Sequence, residues 1–137
     1  MMNADKQTQL SASGTDGKPI RMFFDGAGCR PDGDGSGFAW ICPDTGERHI
    51  ERVKGLTNNQ AEYKAFLAAL QHAPDASSVE MFSDSQLICA QFSGQFRVKD
   101  DVLQELLFEV LALIQNKRLK VALQWVPRNR NLAGKLL

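Results

Sequence analysis

The sequence of 137 residues has no long apolar run, and it has little cysteine. No stretch approaches the roughly 20 apolar residues that a membrane helix needs, so we do not expect a membrane protein. The three cysteines, Cys29, Cys42 and Cys89, form no Cys-x-x-Cys or Cys/His pattern, which argues against a zinc site. Their odd number fits reduced thiols in a cytosol, so a cytoplasmic location is the expectation. Cys42 and Cys89 lie in apolar runs and are expected in the core.

Neither sign of charge is in excess. Lys plus Arg number 16 and Asp plus Glu number 16, so the net charge is about zero. A nucleic-acid-binding domain is usually basic, and the overall balance does not indicate one. Positive charge is nevertheless concentrated near the C-terminus, in residues 116–120 and 127–131.

The length fits one domain with a hydrophobic core. Residues 1–18 are polar, rich in turn formers and without the apolar stretch of a signal peptide. We therefore expect a flexible N-terminal arm over 1–18 and a single folded domain over 19–137.

β-rich runs, turn signals and amphipathic periodicity predict the order β-β-β-α-β-α-α-β. The predicted strands cover 20–28, 37–42, 48–53, 78–84 and 119–126. The first helix starts in 57–70 and is broken by Pro74, and the other two cover 85–94 and 100–116. Tight turns between the first three strands predict an antiparallel meander, while strands separated by helices extend a sheet in parallel. The expected fold is thus α/β, a mixed five-stranded sheet flanked by helices. The last helix is expected to pack through Leu103, Leu106, Leu107, Val110, Leu111 and Ile114.

Glu62 lies at the edge of an apolar stripe in the first long helix. If Asn59 is the N-cap, Glu62 is the third helical residue and can bond back to the N–H of the cap. The alternative is that Glu62 meets other carboxylates in space. Taken alone, the capping interpretation is the more common of the two.

Two further acids stand where strands end. Asp25 closes the first predicted strand and Asp84 closes the fourth. If these strands are parallel neighbours, both acids emerge at one edge of the sheet, and a helix crossing that edge can bring Glu62 to them. Carboxylates without His or Cys favour Mg²⁺, with Mn²⁺ as the alternative, and such a cluster can hold two ions about 3.5–4 Å apart. Separately, Asp25 could start a turn and Asp84 could cap a helix.

Four strings, "FFDGAG", "TNNQAEY", "FSDSQ" and "WVPRNRNLAG", occur in this order between residues 20 and 134. Together they resemble type 1 ribonuclease H, nearer its archaeal and short bacterial branch. The resemblance implies a ribonuclease H-like fold and an endonuclease that cuts the RNA strand of RNA–DNA hybrids. It also implies dependence on divalent metal, 5′-phosphate and 3′-hydroxyl ends, and a monomer.

By this resemblance Asp25, Glu62 and Asp84 are catalytic acids and metal ligands. It also implies a set of residues that contact the substrate: Gly26, Cys29, Arg30, Asn58, Asn59, Gln86, Arg128 and Arg130. Amides suit a minor groove lined with 2′-hydroxyls because they both donate and accept. Contacts to sugar and backbone predict little sequence preference.

The tail departs from the family pattern, Asn-x-x-Ala-Asp, because Gly134 occupies the place of the fourth acid. A glycine has no ligand atom, so Asn131 or Asn129 becomes the candidate to lend a neutral oxygen. Neither His49 nor His72 lies in the loop directly before the tail, where many members of the family have a histidine, and Arg128 or Arg130 is expected to contact phosphate instead. Two alternatives remain: a catalytically silent hybrid-binding module, supported by the lost acid, and a structural domain of a polyprotein such as a reverse transcriptase. The polar N-terminus and the lack of linker sequence make the last the least favoured.

Overall fold

The computed structural model describes residues 18–31 and 35–137; the predicted arm lies, up to residue 17, outside the described residues. The strands are β1 (Ile20–Ala27), β2 (Gly37–Ile41), β3 (Arg48–Arg52), β4 (Ser78–Ser83) and β5 (Lys120–Trp125). The helices are α1 (Asn58–His72), α2 (Gln86–Phe92) and α3 (Asp101–Asn116), and two 3-10 turns follow at Arg128–Arg130 and Leu132–Leu136. In the described ranges, no helix combines the length and apolar character needed to cross a bilayer.

The five strands form one sheet in the order β3-β2-β1-β4-β5. β1 pairs antiparallel with β2, and β2 pairs antiparallel with β3. β4 lies parallel to β1 on one side and to β5 on the other. The predicted mixed sheet is confirmed, and its consequence for function is that β1 and β4 end side by side.

One face of the sheet carries the main core under the three helices. Met22 and Phe24 of β1 are fully buried on this face, and the Phe24 ring stacks on Phe66 of α1 with 4.7 Å between centroids. Burial of each such side chain contributes on the order of 1.5–3 kcal/mol. This packing fixes α1 across β1 and so sets where the first turn of α1 lies.

The opposite face of the sheet has a smaller apolar cluster. Phe23, Ile41 and Ala133 are its buried members, and the Phe23 ring stacks on Phe82 with 4.7 Å between centroids. Leu132 and Leu136 from the last 3-10 turn pack against this cluster. The C-terminal segment is therefore held on the sheet beside the end of β1.

Three sequence-based expectations need correction. The N-cap of α1 is Thr57, not Asn59: the Thr57 hydroxyl accepts from Gln60 N at 3.1 Å, and Gln60 Oε1 accepts from Thr57 N at 3.0 Å. Leu111 is exposed, because only a narrower stripe of α3 reaches the core. Cys42 is buried in the core as expected, but Cys89 is only half-buried.

Candidate active site

Three acids from distant parts of the chain meet at the carboxyl edge of the sheet. Asp25 lies near the end of β1, Glu62 in the first turns of α1, and Asp84 directly after β4. One carboxylate oxygen from each of the three lies within 4.8 Å of the others. Parallel pairing of β1 with β4 brings Asp25 and Asp84 together, and the packing of α1 on β1 adds Glu62.

Gly26 makes the approach of α1 to β1 possible. A Cβ on this glycine would lie 2.2 Å from the carbonyl carbon of Ala61 and 2.4 Å from Glu62 N, so any side chain would push the helix away. In the space that glycine leaves, Gly26 N donates to Glu62 Oε1 at 3.1 Å. Glu62 therefore bonds to the strand beside it, and the capping interpretation of this residue is wrong because Gln60 fills that role.

The three carboxylates are buried together. Asp25 is 1% exposed, Glu62 is 7% exposed, and the Asp84 side chain is 7% exposed. Burial, then the charge of Asp84, raise the pKa of Asp25; burial, then the charges of Asp25 and Asp84, raise the pKa of Glu62. Arg128 offsets little of this charge, since its Nη1 lies 3.9 Å from Asp84 Oδ1 and its side chain is 80% exposed.

The donor set fits a hard divalent cation. Asp25 Oδ1 is buried and has no hydrogen-bond partner, an arrangement that costs free energy unless another group satisfies the oxygen. The clustered ligand atoms are all carboxylate oxygens, which suit Mg²⁺ or Mn²⁺ better than zinc. A cation here would both neutralise the cluster and coordinate the unpartnered oxygen.

Asn131 holds the cluster from the side of the tail. Its Nδ2 donates to Phe24 O at 2.9 Å and to Asp84 Oδ2 at 3.2 Å, while its Oδ1 accepts from Ala133 N at 3.1 Å. That Asn131 lends an oxygen to a metal stays a prediction, since its Oδ1 accepts one hydrogen bond and an amide oxygen has a second lone pair. Its Nδ2 orients Asp84.

Gly134 lies against the same cluster. A Cβ on this residue would be 3.0 Å from Asp25 Oδ2, a tight contact that a small shift could relieve. A longer side chain at this position would thus begin beside the carboxylates. The tail reaches the site, but its residue there contributes no ligand atom.

The remaining residues implied by the resemblance lie in the loops and helix starts around this edge. Asn58 Oδ1 accepts from Gly28 N at 2.7 Å, which ties the start of α1 to the loop after β1. In that loop Cys29 is exposed, and the guanidinium of Arg30 lies against Gly35.

Four more of these residues lie at element starts and in the turn after β5. Asn59 is half-buried in the first turn of α1, and Gln86 is exposed as the first residue of α2. Arg128 and Arg130 are exposed in the first 3-10 turn. Arg128 is the residue of this turn that lies beside the acids, with Nη1 3.9 Å from Asp84 Oδ1.

Trp125 is a site-edge residue that the sequence reasoning missed. It ends β5, remains 47% exposed, and donates from Nε1 to the backbone oxygen of Asp84 at 3.1 Å. The sequence signal was a tryptophan near the end of a predicted strand, two residues before the basic segment 127–131.

Residues 23–137 match the family described as Reverse transcriptase-like. Ribonuclease HI of Halobacterium salinarum is 32% identical over 115 residues, which cover 74% of this chain and 58% of that protein. A bifunctional protein of Mycobacterium tuberculosis is 38% identical over 83 residues, 59% of this chain and 22% of the relative. The chain thus spans only part of the length of these relatives.

Solved structures give the same grouping. The crystal structure of ribonuclease H1 from Halobacterium salinarum superposes with a TM-score of 0.73 at 27% identity and covers 88% of this chain and 94% of its own. The LC11 ribonuclease H1, solved in complex with an RNA/DNA hybrid, has a TM-score of 0.73 at 25% identity, with 86% and 92% covered.

Proposed function

Since this chain belongs to the type 1 ribonuclease H family, we propose that it is an endonuclease that hydrolyses the RNA strand of RNA–DNA hybrids with divalent metal ions. Mg²⁺ is the expected cofactor and Mn²⁺ the alternative. The proposed products carry 5′-phosphate and 3′-hydroxyl ends, which result when water attacks the phosphorus and the bond to the 3′ oxygen breaks.

The observation that carries the proposal is the buried, under-compensated cluster of Asp25, Glu62 and Asp84. Packing three like charges together costs folding free energy, so a purely structural role is a poor explanation. Two of the acids are also held from outside the cluster, Glu62 by Gly26 N and Asp84 by Asn131 Nδ2. A preorganised set of oxygens is what a catalytic cation site requires.

The side chains of this chain divide the work of such a reaction. Asp25, Glu62 and Asp84 would hold the metal ions, which when bound supply charge neutralisation, an activated water and stabilisation of the departing oxygen. Arg128 is exposed at the rim and can bond a phosphate bidentately. The amides of Asn58, Asn59 and Gln86 would meet 2′-hydroxyls in the wide minor groove of the hybrid.

Gly134 favours a second candidate, a hybrid-binding module without catalytic activity. A Cβ at this position would lie 3.0 Å from Asp25 Oδ2, and its lack of a carboxylate leaves the cluster with three acids. The three-acid cluster itself argues against this candidate, because a binding protein gains nothing from the repulsion.

One assay separates the two candidates. The purified chain is incubated with end-labelled RNA–DNA hybrid in Mg²⁺ and then in Mn²⁺, beside Asp25→Asn and the matched control Asp44→Asn, an exposed acid paired with Arg21. Cleavage by the unsubstituted protein and Asp44→Asn, but not by Asp25→Asn, supports the enzyme. Binding of the hybrid without cleavage in either metal supports the binding module. The absence of both cleavage and binding would contradict both candidates.

A further inference from the structure

Trp125 is a large aromatic side chain that the fold leaves exposed at the rim of the acid cluster. The chain has two tryptophans, and the other, Trp40, is buried in the core. Isolated exposed apolar side chains are ordinary on protein surfaces, and Phe108 of α3, 60% exposed, is one. Trp125 differs from Phe108 in what its polar edge does.

The indole of Trp125 is fixed relative to the acids. Its Nε1 donates to Asp84 O at 3.1 Å, and its backbone pairs with Ser83, so two contacts hold it beside the end of β4. Three residues later in the chain, Arg128 reaches Asp84 Oδ1 at 3.9 Å. Asp84 therefore contacts the exposed indole of Trp125 through its backbone oxygen and lies near the exposed guanidinium of Arg128 through its carboxylate.

The hydrogen bond occupies only the N–H edge of the ring, and 47% of the residue remains exposed. If its only role were to satisfy the Asp84 carbonyl, a smaller donor would serve without leaving apolar area in water. An anchored, exposed aromatic ring beside a cation is a common feature of nucleic-acid-binding surfaces.

We propose that Trp125 is a substrate-contact residue, whose indole packs against a sugar of the nucleic-acid strand next to the phosphate bound at the acid cluster. The inference rests on the proposed function. The sugar is the expected partner because the bases of a duplex are stacked on each other, whereas the minor groove of a hybrid presents its sugars. Such a contact strengthens binding without reading sequence.

Binding is measured by fluorescence anisotropy of a labelled hybrid in Mg²⁺ on the Asp25→Asn background, where cleavage is not expected. Trp125→Ala should weaken binding about tenfold, the equivalent of burying roughly 50 Å² of apolar surface. Trp125→Phe keeps a ring but loses the N–H, so most of the affinity should remain. Phe108→Ala is the matched control and should leave the Kd unchanged.

A second measurement does not depend on the stability of the alanine variant. In Asp25→Asn combined with Trp40→Phe, Trp125 is the sole tryptophan, and its emission should change on adding hybrid while acrylamide quenching falls. Unchanged emission together with an unchanged Kd for Trp125→Ala would overturn the inference while hybrid binding itself stands. If Trp125→Phe weakens binding as much as Trp125→Ala, the N–H bond to Asp84 is what matters and the sugar contact is contradicted. If the protein without any substitution neither binds nor cleaves the hybrid, the proposed function is overturned as well.

Discussion

Acidic side chains lie near both ends of the β1 strand, and the two groups differ in solvent exposure and in the direction in which their pKa values shift. At the amino end, Asp44 pairs with Arg21 at 2.8 Å and Glu47 with His72 at 3.2 Å, all exposed. The hydrogen bond from Arg21 lowers the pKa of Asp44, and the hydrogen bond from His72 lowers the pKa of Glu47. These pairs are ordinary surface charges and contribute little to stability.

At the carboxyl end, Asp25 and Glu62 are buried, adjacent to Asp84, and have raised pKa values. The number of acidic residues in a segment is therefore a weak indicator of function, whereas the burial of several carboxylates with little compensating positive charge among the described residues is a strong one. A chain that keeps such a cluster loses stability unless a ligand offsets the repulsion.

The largest expected effect comes from removing one carboxylate at the carboxyl end of β1, and the matched change at its amino end should have none. Asp25→Asn should reduce hybrid cleavage by at least about a thousandfold, roughly 4 kcal/mol of transition-state stabilisation, because a central ligand oxygen is lost. Asp44→Asn should cleave at the unsubstituted rate. Initial rates on a labelled hybrid measure both, and equal losses in the two variants would abolish the distinction between the two ends.

Cation removal should act on the carboxyl end alone. The unsubstituted protein in EDTA should melt several degrees below the same protein in Mg²⁺ or Mn²⁺, since saturation at 100 times the Kd adds about 2.7 kcal/mol of stability. Scanning calorimetry gives the shift. Asp25→Asn should lose most of it, and a full shift in that variant would mean that the ion binds elsewhere.

Restoring the fourth acid should make the metal affinity at the carboxyl end of β1 higher. Gly134→Asp puts a carboxylate beside Asp25 Oδ2, so Mn²⁺ should bind roughly tenfold more tightly, about 1.4 kcal/mol, by titration calorimetry. The metal-free variant should melt below the unsubstituted protein, because a fourth like charge has joined the cluster. Gly134→Ala tests the steric cost of a side chain alone. If Gly134→Asp binds Mn²⁺ with the same affinity as Gly134→Ala, the new carboxylate does not reach the ion.

The pH dependence of metal-free stability should also separate the two ends. Raised pKa values at Asp25 and Glu62 mean that their contribution is fully present below the unfolded pKa, about 4, and is lost as the pH rises through the folded values. The stability of Asp25→Asn relative to the unsubstituted protein should therefore increase from pH 4 to pH 8, by on the order of 1 kcal/mol. Denaturant melts in EDTA measure it, and a constant difference would show that the repulsion is relaxed without metal.

The smallest effect is expected at the amino end. Arg21→Gln removes the partner of Asp44, yet both side chains are about half exposed, so the melting temperature should change by no more than roughly 1 °C. Because the pKa of Asp44 is lowered, the pair contributes stability above the unfolded pKa, about 4, and this contribution is lost as the pH falls. The small effect of Arg21→Gln should therefore be present at pH 7 and vanish at low pH, where Asp44 is protonated. A larger change at pH 7 would indicate that this end of the sheet is not an ordinary surface.

Much of the fold follows from local pattern. Period-two runs, amphipathic stripes and turn residues gave the order of all five strands and three helices, to within a few residues at each boundary. Asp25 and Asp84 could be placed at one edge because parallel strands end together. The exposed Leu111 was misplaced because periodicity marks an apolar face but does not say how wide a neighbour covers it.

Local sequence accounts for which elements form and which acids stand at their ends, since propensity and periodicity act over neighbouring residues. The hydrogen bond of Glu62 to Gly26, that of Asn131 to Asp84, and the place of Gly134 beside Asp25 arise from packing between distant segments. Each of these contacts joins segments far apart in the chain; the bond from Asn131 to Phe24 spans 107 residues. Their geometry depends on how whole elements pack, and no local spacing encodes that distance.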